Sequence, residues 1–455
     1  MSSCWIRCAA PFWATKERQT SLENLNVLVF PCGSEIGIEI WRSLKDIRFI
    51  TLFGASSVRD HGSFVYRNYI EGVPFLDDPA FRGELKKIVE DNDIDVIFPA
   101  LDSAIPVLTE MSDELSCPII EPSHETAVIC RDKSLTYEKL GNAWFNVRSF
   151  DYAAGDWPKV DEYPVIIKPA LGQGSQGFKV IESEEALRYE LSMRSSRQVV
   201  CEYLSGDEYT VDCFTDRFGN LLLSSQRVRA RTKAGISVNS HLEAQNDVIR
   251  GIAEEINSRL SFRGVWFFQL KRNARGEYRL LEIAPRVAGT MCLERAVGVN
   301  LPLLSVLDAV GCDVEIVSQV DNCEVDRSFD CVYNIDCEYD SVYIDFDDTI
   351  VTDGEVNLGT ICFLYQCVNK GIPIFLITRH ADNIEESLAR AKISISLFDG
   401  IFHVDKDSKK SDYIARSGRP ILVDDSFAER MDVHRSLGIK TFGVDALEAL
   451  MDIRH

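Results

Sequence analysis

The chain has 455 residues, 45% hydrophobic and 26% charged, which allows roughly three domains of ordinary size with substantial cores. Its formal net charge of −22 at pH 7 argues against a nucleic-acid or anionic-membrane surface, since those need an excess of Lys and Arg. The 14 cysteines form no CxxC pairs, so they read as small buried hydrophobes of a reducing compartment rather than zinc ligands.

In chain order, residues 1–25 form an N-terminal extension with Trp5, Phe12 and Trp13 but no continuous apolar run. Neither a signal peptide nor a membrane span is expected, and the reading is a cytoplasmic enzyme without nucleic-acid or membrane partners. "NVLVFPCGSEIGIEIWRSLK" is a buried strand, a glycine turn and a helix, and "DIDVIFPALDSAIPVL" repeats the theme. Such alternation favours a parallel sheet. The turn from Gly33 to Gly37 lacks a full GxGxxG, and no acidic residue ends the next strand "IRFITLFG". A tight strand–helix turn is therefore preferred over a dinucleotide cradle.

"EYPVIIKPALGQGSQGFKVIE" gives two strands joined by a loop holding Gly172, Gly174 and Gly177, with Lys168 at the end of the first strand. Glycines let backbone N–H groups approach phosphate oxygens and the lysine supplies charge, although an ordinary hairpin with a rim lysine has the same pattern. "QVVCEYLSGDEYTVDCFTD" and "NLLLSSQRVRAR" continue in β-rich alternation, and "VWFFQLKRNARGEYRLLEIAPR" reads as a hairpin. With its turn centred between Arg275 and Gly276, Gln269 lies opposite Glu282 on one sheet face; an odd-length loop would break that register. Two neighbouring oxygen ligands suit Mg²⁺ ions that bridge ATP phosphates. Gln319 to Ser328 reads as a surface connection.

"SVYIDFDDTIV", "IPIFLIT" and "PILVDD" are three further buried strands separated by helices. Asp382 and Glu385 form a capping-box pattern before one of these helices, whose Ile384, Leu388 and Ala391 share a face. In an extended segment Asp345 and Asp347 point the same way, with Thr349 continuing the row. One carboxylate can attack phosphorus while the second protonates the leaving oxygen and then activates water. Mg²⁺ and a lysine would compensate the crowded anions.

Residues 26 to about 310 resemble the ATP-grasp superfamily, in particular its carbamoyl-phosphate-synthase-like and carboxylate–amine ligase branch. "PSHETAVICRDKSLTYEKL" is similar to its first helical segment, which implies that Lys133 contacts the nucleotide phosphates. "VIIKP" would set Lys168 on the α and β phosphates, and "GQGSQG", with Gly174, Ser175 and Gly177, resembles the loop that closes over them. "CEYLSGDEYTVD" resembles the hinge that holds adenine, implying Glu202, Tyr203 and Leu204 around the base and Glu208 on the ribose. "FQLKRNARGEYRLLEIAPR" resembles the metal-binding hairpin, implying Gln269 and Glu282 as ligands and Arg286 near an acyl phosphate. The family usually has E-x-N-P-R, and here Ala284 stands at the third ligand position. The resemblance implies phosphorylation of a carboxylate by ATP and attack by an amine, with Arg229, Arg231 and Arg286 as candidates for the substrate carboxylate.

Residues 341–455 resemble the haloacid-dehalogenase (HAD) superfamily. The resemblance implies Asp345 as nucleophile, Asp347 as acid–base, Thr378 on the phosphate and Lys410 as the stabilising lysine, with Lys409 the runner-up. It implies Asp424 and Asp425, together with Asp345 and Asp347, at the metal. Members with the second aspartate are typically phosphatases or phosphotransferases, of which phosphomonoester hydrolysis is the expectation here, and the short spacing between the first two strands leaves no room for a large cap.

The expected fold class is α/β: a Rossmann-like pre-ATP-grasp domain at 26–122, an α+β ATP-grasp domain at 123–318, a linker at 319–340, and a Rossmannoid HAD domain without a large cap at 341–455. The expected function is bifunctional, a ligase using ATP and Mg²⁺ (or Mn²⁺) joined to a phosphomonoesterase. Its partners would be a small carboxylate and an amine, one of them phosphorylated, with a homodimer left open. Two alternatives stand beside it: a nucleotide-binding regulatory protein with a decayed ligase site, and a small-molecule kinase or carbamoyl-phosphate-type enzyme with a phosphatase tail.

Overall fold

The computed structural model describes residues 24–150, 152, 157–172, 177–233, 235–318 and 322–454. The expectations for residues 1–23, and for Gly174 and Ser175, lie outside them. The chain divides into two compact units between Phe329 and Asp330. No helix among the described residues is long and apolar enough to cross a membrane.

The first unit begins with a parallel sheet. Strands β1 (Leu25–Phe30), β2 (Ile50–Ser56), β3 (Asn68–Glu71) and β4 (Val96–Pro99) lie in the order β3-β2-β1-β4. Strands β1 and β4 are apolar on both faces because helices cover the sheet; Leu28, Phe30 and Ile97 share a core with Phe81, Leu85 and Leu108. The glycine turn after β1 leads into the helix Glu35–Leu44, capped by Ser34, whose side chain accepts from the Gly37 amide. A Cβ at Gly37 would lie 2.3 Å from the Cys32 carbonyl oxygen, and one at Gly33 would lie 2.0 Å from the Asp60 carboxylate. The glycines thus serve close packing, with a side chain filling the space before the turn.

Strands β5 (Val165–Pro169), β6 (Lys179–Ile181) and β7 (Gln198–Glu202) form a small antiparallel sheet in the order β6-β5-β7. Strands β8 (Glu208–Thr215), β9 (Leu221–Lys233), β10 (Ile236–Leu242), β11 (Gly264–Arg272), β12 (Tyr278–Ala284) and β13 (Glu324–Asp326) form a larger one, β12-β11-β8-β9-β10-β13. A core built on Trp266, Phe268, Leu280 and Ile252 lies beneath this sheet. Three residues of the stretch expected as a surface connection are part of it. Glu324–Asp326 pairs antiparallel with Asn239, Ser240 and His241, because its extended backbone satisfies the open edge of β10.

The hairpin β11–β12 corrects one expectation while keeping its consequence. Its loop is odd, since the Asn273 amide donates to the Glu277 carbonyl at 2.9 Å around Ala274, Arg275 and Gly276. The first pairs are accordingly Arg272↔Tyr278 and Leu270↔Leu280. An irregularity between Gln269 and Leu270 then adds one residue on β12 and sets Gln269 opposite Glu282.

The second unit contains a parallel sheet of five strands, β14 (Ser341–Ile344), β17 (Ile374–Thr378), β18 (Gly400–His403), β19 (Pro420–Val423) and β20 (Lys440–Phe442), in the order β18-β17-β14-β19-β20. Between β14 and β17 the chain makes only the hairpin β15 (Val351–Thr352) and β16 (Glu355–Val356) and the helix Leu358–Asn369. Apolar clusters cover both sheet faces, one around Ile344, Phe363 and Leu376, the other around Tyr343, Ile377 and Val433. The helix Ile384–Arg390 is capped by Asn383, whose side chain accepts from the Glu385 and Glu386 amides. That displaces the expected capping box at Asp382, since Asn is as good an N-cap and sits one residue nearer the helix.

Candidate active sites

In the first unit a cleft of about 310 Å³ lies between the small sheet and the hairpin β11–β12. Lys133, Lys168, Glu202, Tyr203, Leu204 and Glu208 line it, and so do Gln269 and Glu282. Its apolar wall comes from Val147, Ile166, Phe178 and Leu281, a surface suited to a flat ring. Gly177 adopts φ +71°, which its missing side chain permits, but it stands outside the lining.

Two lysines point into the cleft from different elements. Lys133 opens the helix Lys133–Leu140, and its Nζ donates to the Gly172 carbonyl at 3.0 Å and lies 3.6 Å from Glu282 Oε2. Burial lowers its pKa and neighbouring Lys168 adds to this, against the pull of Glu282. Lys168 Nζ donates to the Tyr137 hydroxyl at 2.9 Å and to the Leu281 carbonyl at 3.4 Å. Leu281 is the residue beside the hairpin irregularity, and its carbonyl also accepts from Tyr137 at 2.6 Å. The irregularity that sets Gln269 opposite Glu282 therefore also supplies an anchor for Lys168. Glu208 is held by Arg229 at 3.0 Å and by Lys271 at 3.6 Å.

A second cavity adjoins the first and shares Lys133, Arg229, Gln269 and Glu282 with it. Arg131, Arg286 and Arg327 line it, as do Glu35 at the start of the helix after β1 and Asp102 from the loop after β4. Arg286 is gripped by Asp102 through two bonds, of 2.6 and 2.8 Å, and Arg327 donates to Glu35 at 2.9 Å. Ala284 lies in this wall, buried. Arg231 is a correction: it is exposed, donates to Asp326 at 2.6 Å and lines neither cavity. The alternating row on β9 carries it past the rim.

The sequence reading missed the first member of that row. Arg227 is fully buried, donates to both oxygens of Asp212 at 2.7 and 2.9 Å, and lines the second cavity. Alternation in "RVRAR" carried the signal. Asp102, Glu35 and Arg327 gave no local signal, because they meet the site only through the tertiary fold.

Residues 194–331 match a family model described as an ATP-grasp in the biosynthetic pathway with Ter operon. The first unit has an ATP-grasp-like fold. Over 118 residues, 24% of its length, the chain is 35% identical to the vancomycin/teicoplanin A-type resistance protein VanA of Enterococcus faecium, and the match spans 33% of that relative's length. An L-amino acid ligase from Bacillus licheniformis superposes with TM-score 0.53 at 17% identity, covering 64% of this chain and 75% of that one. The biotin carboxylase domain dimer of a Hydrogenobacter thermophilus 2-oxoglutarate carboxylase, solved with MgADP, ADP and bicarbonate, gives TM-score 0.53 at 17% identity over 65% and 71%. Use of ATP and Mg²⁺ by the ATP-grasp-like unit is consistent with these matches.

In the second unit, the C-terminal ends of β14 and β19 bring Asp345, Asp424 and Asp425 together, with one oxygen from each lying within 4.8 Å of the others. Lys410 is buried and bridges two of them, its Nζ 2.9 Å from Asp345 Oδ1 and 2.6 Å from Asp424 Oδ2. Burial pushes the Asp345 carboxyl up to about 6; Lys410 opposes the shift and Asp424 adds to it. Asp345 Oδ1 has ion-pair contact but no well-aligned donor, and a buried oxygen in that state fits a cation as its remaining partner. Lys409 instead points outward to Asp432 at 2.6 Å.

Asp347 and Thr349 depart from the extended row expected of them. Strand β14 ends at Ile344, and the chain turns as the Ile350 and Val351 amides donate to the Phe346 carbonyl. Asp348 takes φ +53° in this turn. Thr349 is thereby buried and receives the Asp425 amide at 3.0 Å. Asp347 stays at the rim, outside the three-carboxylate group, so its expected role as a metal ligand is not supported by the geometry. Its partner is His380, unnoticed in the sequence. Thr378 is buried at the end of β17, and its hydroxyl oxygen accepts the His380 amide at 3.1 Å.

Proposed function

We propose that the chain is a bifunctional enzyme: an ATP-dependent carboxylate–amine ligase joined to a phosphomonoesterase. For the ligase, the carrying observation is the convergence of Lys133, Lys168, Glu208, Gln269 and Glu282 on one cleft beside a cavity lined by arginines. The cleft takes ATP, with adenine at Tyr203 and Leu204, the ribose at Glu208, and the phosphates at Lys133 and Lys168. Gln269 and Glu282 would hold Mg²⁺, which supplies positive charge to the phosphate oxygens. The neighbouring cavity orients the acid through Arg286 and Arg229, bringing its carboxylate to the γ-phosphorus. A carboxylate oxygen takes the phosphoryl group and ADP leaves. An amine then attacks the acyl carbon, loses a proton and expels phosphate. Such ligase chemistry is in keeping with the ATP-grasp match and the amino acid ligase neighbour.

For the phosphatase, the carrying observation is Lys410 bridging Asp345 and Asp424 at the ends of adjacent parallel strands. Asp345 attacks the phosphorus of a monoester and Thr378 receives a phosphoryl oxygen. Asp347 gives a proton to the leaving oxygen, then takes one from the water that cleaves the aspartyl phosphate. Lys410 holds the carboxylates in place and offsets their charge. Asp345, Asp424 and Asp425 would hold Mg²⁺, which supplies further positive charge beside the phosphate.

The two activities would serve one metabolite: the ligase joins a phosphorylated substrate, and the second unit removes its phosphate. Incubation with ATP, Mg²⁺ and a panel of amino acids and phosphorylated acids tests the first half by ADP release. Hydrolysis of p-nitrophenyl phosphate tests the second. No ADP release with any acid–amine pair, or no hydrolysis, would remove the corresponding half.

A further inference from the structure

Asp347 stands about half exposed at the edge of the carboxylate cluster, yet its side chain is not loose. His380 Nδ1 lies 2.9 and 3.0 Å from its two oxygens, and His380 Nε2 lies 2.8 Å from Ser387 Oγ. A carboxyl oxygen accepts from Nδ1 whether or not the other oxygen carries a proton, so the hydrogen-bond network assigns the ring proton to Nδ1, leaves one Asp347 oxygen to hold the transferable proton, and lets Nε2 accept from the Ser387 hydroxyl. Ser387 receives Arg390 NH2 in turn, at 3.4 Å. The imidazole also meets the Phe346 ring edge-on at 4.9 Å.

Serine, imidazole and carboxylate here follow the order found in serine hydrolases, but with exposure reversed. Ser387 is the buried member, on the helix Ile384–Arg390, and Asp347 is the open one. The reactive end of the relay is therefore the carboxylate, and the serine is its anchor.

We propose that His380 is the positioning residue for Asp347, keeping it turned toward the leaving oxygen of a phosphomonoester. The assignment rests on the phosphatase reading. As the Asp345 oxygen bonds to phosphorus and the bond to the leaving oxygen breaks, the Asp347 proton passes to that oxygen. In the second step water attacks the aspartyl phosphate, its proton returns to Asp347, and inorganic phosphate leaves. His380 keeps its Nδ1 proton throughout and exchanges none with substrate.

Positioning of an acid is read by leaving-group dependence, since p-nitrophenolate departs with little protonation whereas an alkoxide needs it. The measurement is kcat/KM for p-nitrophenyl phosphate and for propyl phosphate. His380→Ala and His380→Gln are expected to lose at least about tenfold more on propyl phosphate than on the aryl ester, the pattern expected of Asp347→Asn. His380→Asn sets an amide nitrogen where Nδ1 was, and should recover most of the difference. Adding His380→Ala to Asp347→Asn should cost nothing further, because the two act as one unit. Should His380→Ala fail to fold, Ser387→Ala removes only the anchor of Nε2 and should shift the same ratio in the same direction. Equal losses on both esters, or a further loss in the double variant, would overturn the assignment while leaving the phosphatase reading in place. Failure of the wild-type protein to hydrolyse either ester would overturn both.

Discussion

Arg286 and Asp102 form a two-pronged ion pair across 184 residues of sequence, Nε to Oδ1 at 2.6 Å and NH2 to Oδ2 at 2.8 Å. The pair ties the loop after β4 to the exit of the hairpin β11–β12, within the cavity proposed for the acid substrate. Burial would raise the Asp102 pKa, but the Arg286 guanidinium outweighs it and holds the carboxyl below its usual range. A fork fixed in this way presents its remaining edge without reorganisation when substrate arrives.

Asp102→Ala should therefore destabilise the first unit by about 3 kcal/mol, the scale for leaving one member of a buried pair alone. It should also raise KM for the acid while leaving ADP affinity near wild type. A depressed carboxylate pKa contributes stability above the unfolded value, and that contribution disappears as pH falls through the folded value. The stability gap between wild type and variant should thus close in acid, below about pH 4. Denaturant titrations at neutral and acid pH check this; a gap that persists in acid would refute it.

Ala284→Asn restores an oxygen at the position where the resembled motif has one. Ala284 is buried beside Phe267 in β12, one turn of the pleat beyond Glu282. ATP turnover should keep its rate, with a steeper Mg²⁺ dependence or none altered. A large loss of turnover would show that the wall is built around alanine and that Glu282 and Gln269 need reassignment.

Glu294 is buried, and its Oε1 lacks a hydrogen-bond partner. Burial, with Asp212 adding, pushes its pKa up to about 7 against the pull of Ser225 and Arg227. Because the folded form then holds a proton that the unfolded chain releases, stability falls as pH rises from the ordinary glutamate range through about 7. Glu294→Gln removes that penalty. Its melting temperature should exceed wild type by more at pH 8 than at pH 5, and a gain independent of pH would contradict the assignment.

Local pattern reveals elements, while sites depend on contacts that sequence spacing does not encode. Short apolar runs, closed by a glycine turn after β1 and by acidic turns after β4 and β14, made these strands readable, since strands buried on both faces need little else. Lys168, Gln269 and Glu282 were readable because each ends or faces a patterned strand. Their register came out as read although the loop was odd, because a strand irregularity compensated for it; irregularities of this kind leave no pattern in apolar spacing. Asp102, Glu35 and His380 escaped because their partners lie far away in sequence, or across a turn whose geometry the extended reading of "DFDDT" concealed.

The central claim is that one chain carries two chemically independent sites, and crossed variants test it most directly. Lys168→Ala and Asp345→Asn would each be assayed for ADP release and for p-nitrophenyl phosphate hydrolysis, with folding checked by thermal unfolding. The nearly isosteric amide in Asp345→Asn cannot serve as the anionic nucleophile, so hydrolysis should vanish while ATP turnover remains. Lys168→Ala should lose ATP turnover and keep hydrolysis near wild type, since the two sites lie in separately packed units and share no partners. Wild-type hydrolysis by folded Asp345→Asn, or loss of both activities from either single change in a folded protein, would contradict the account.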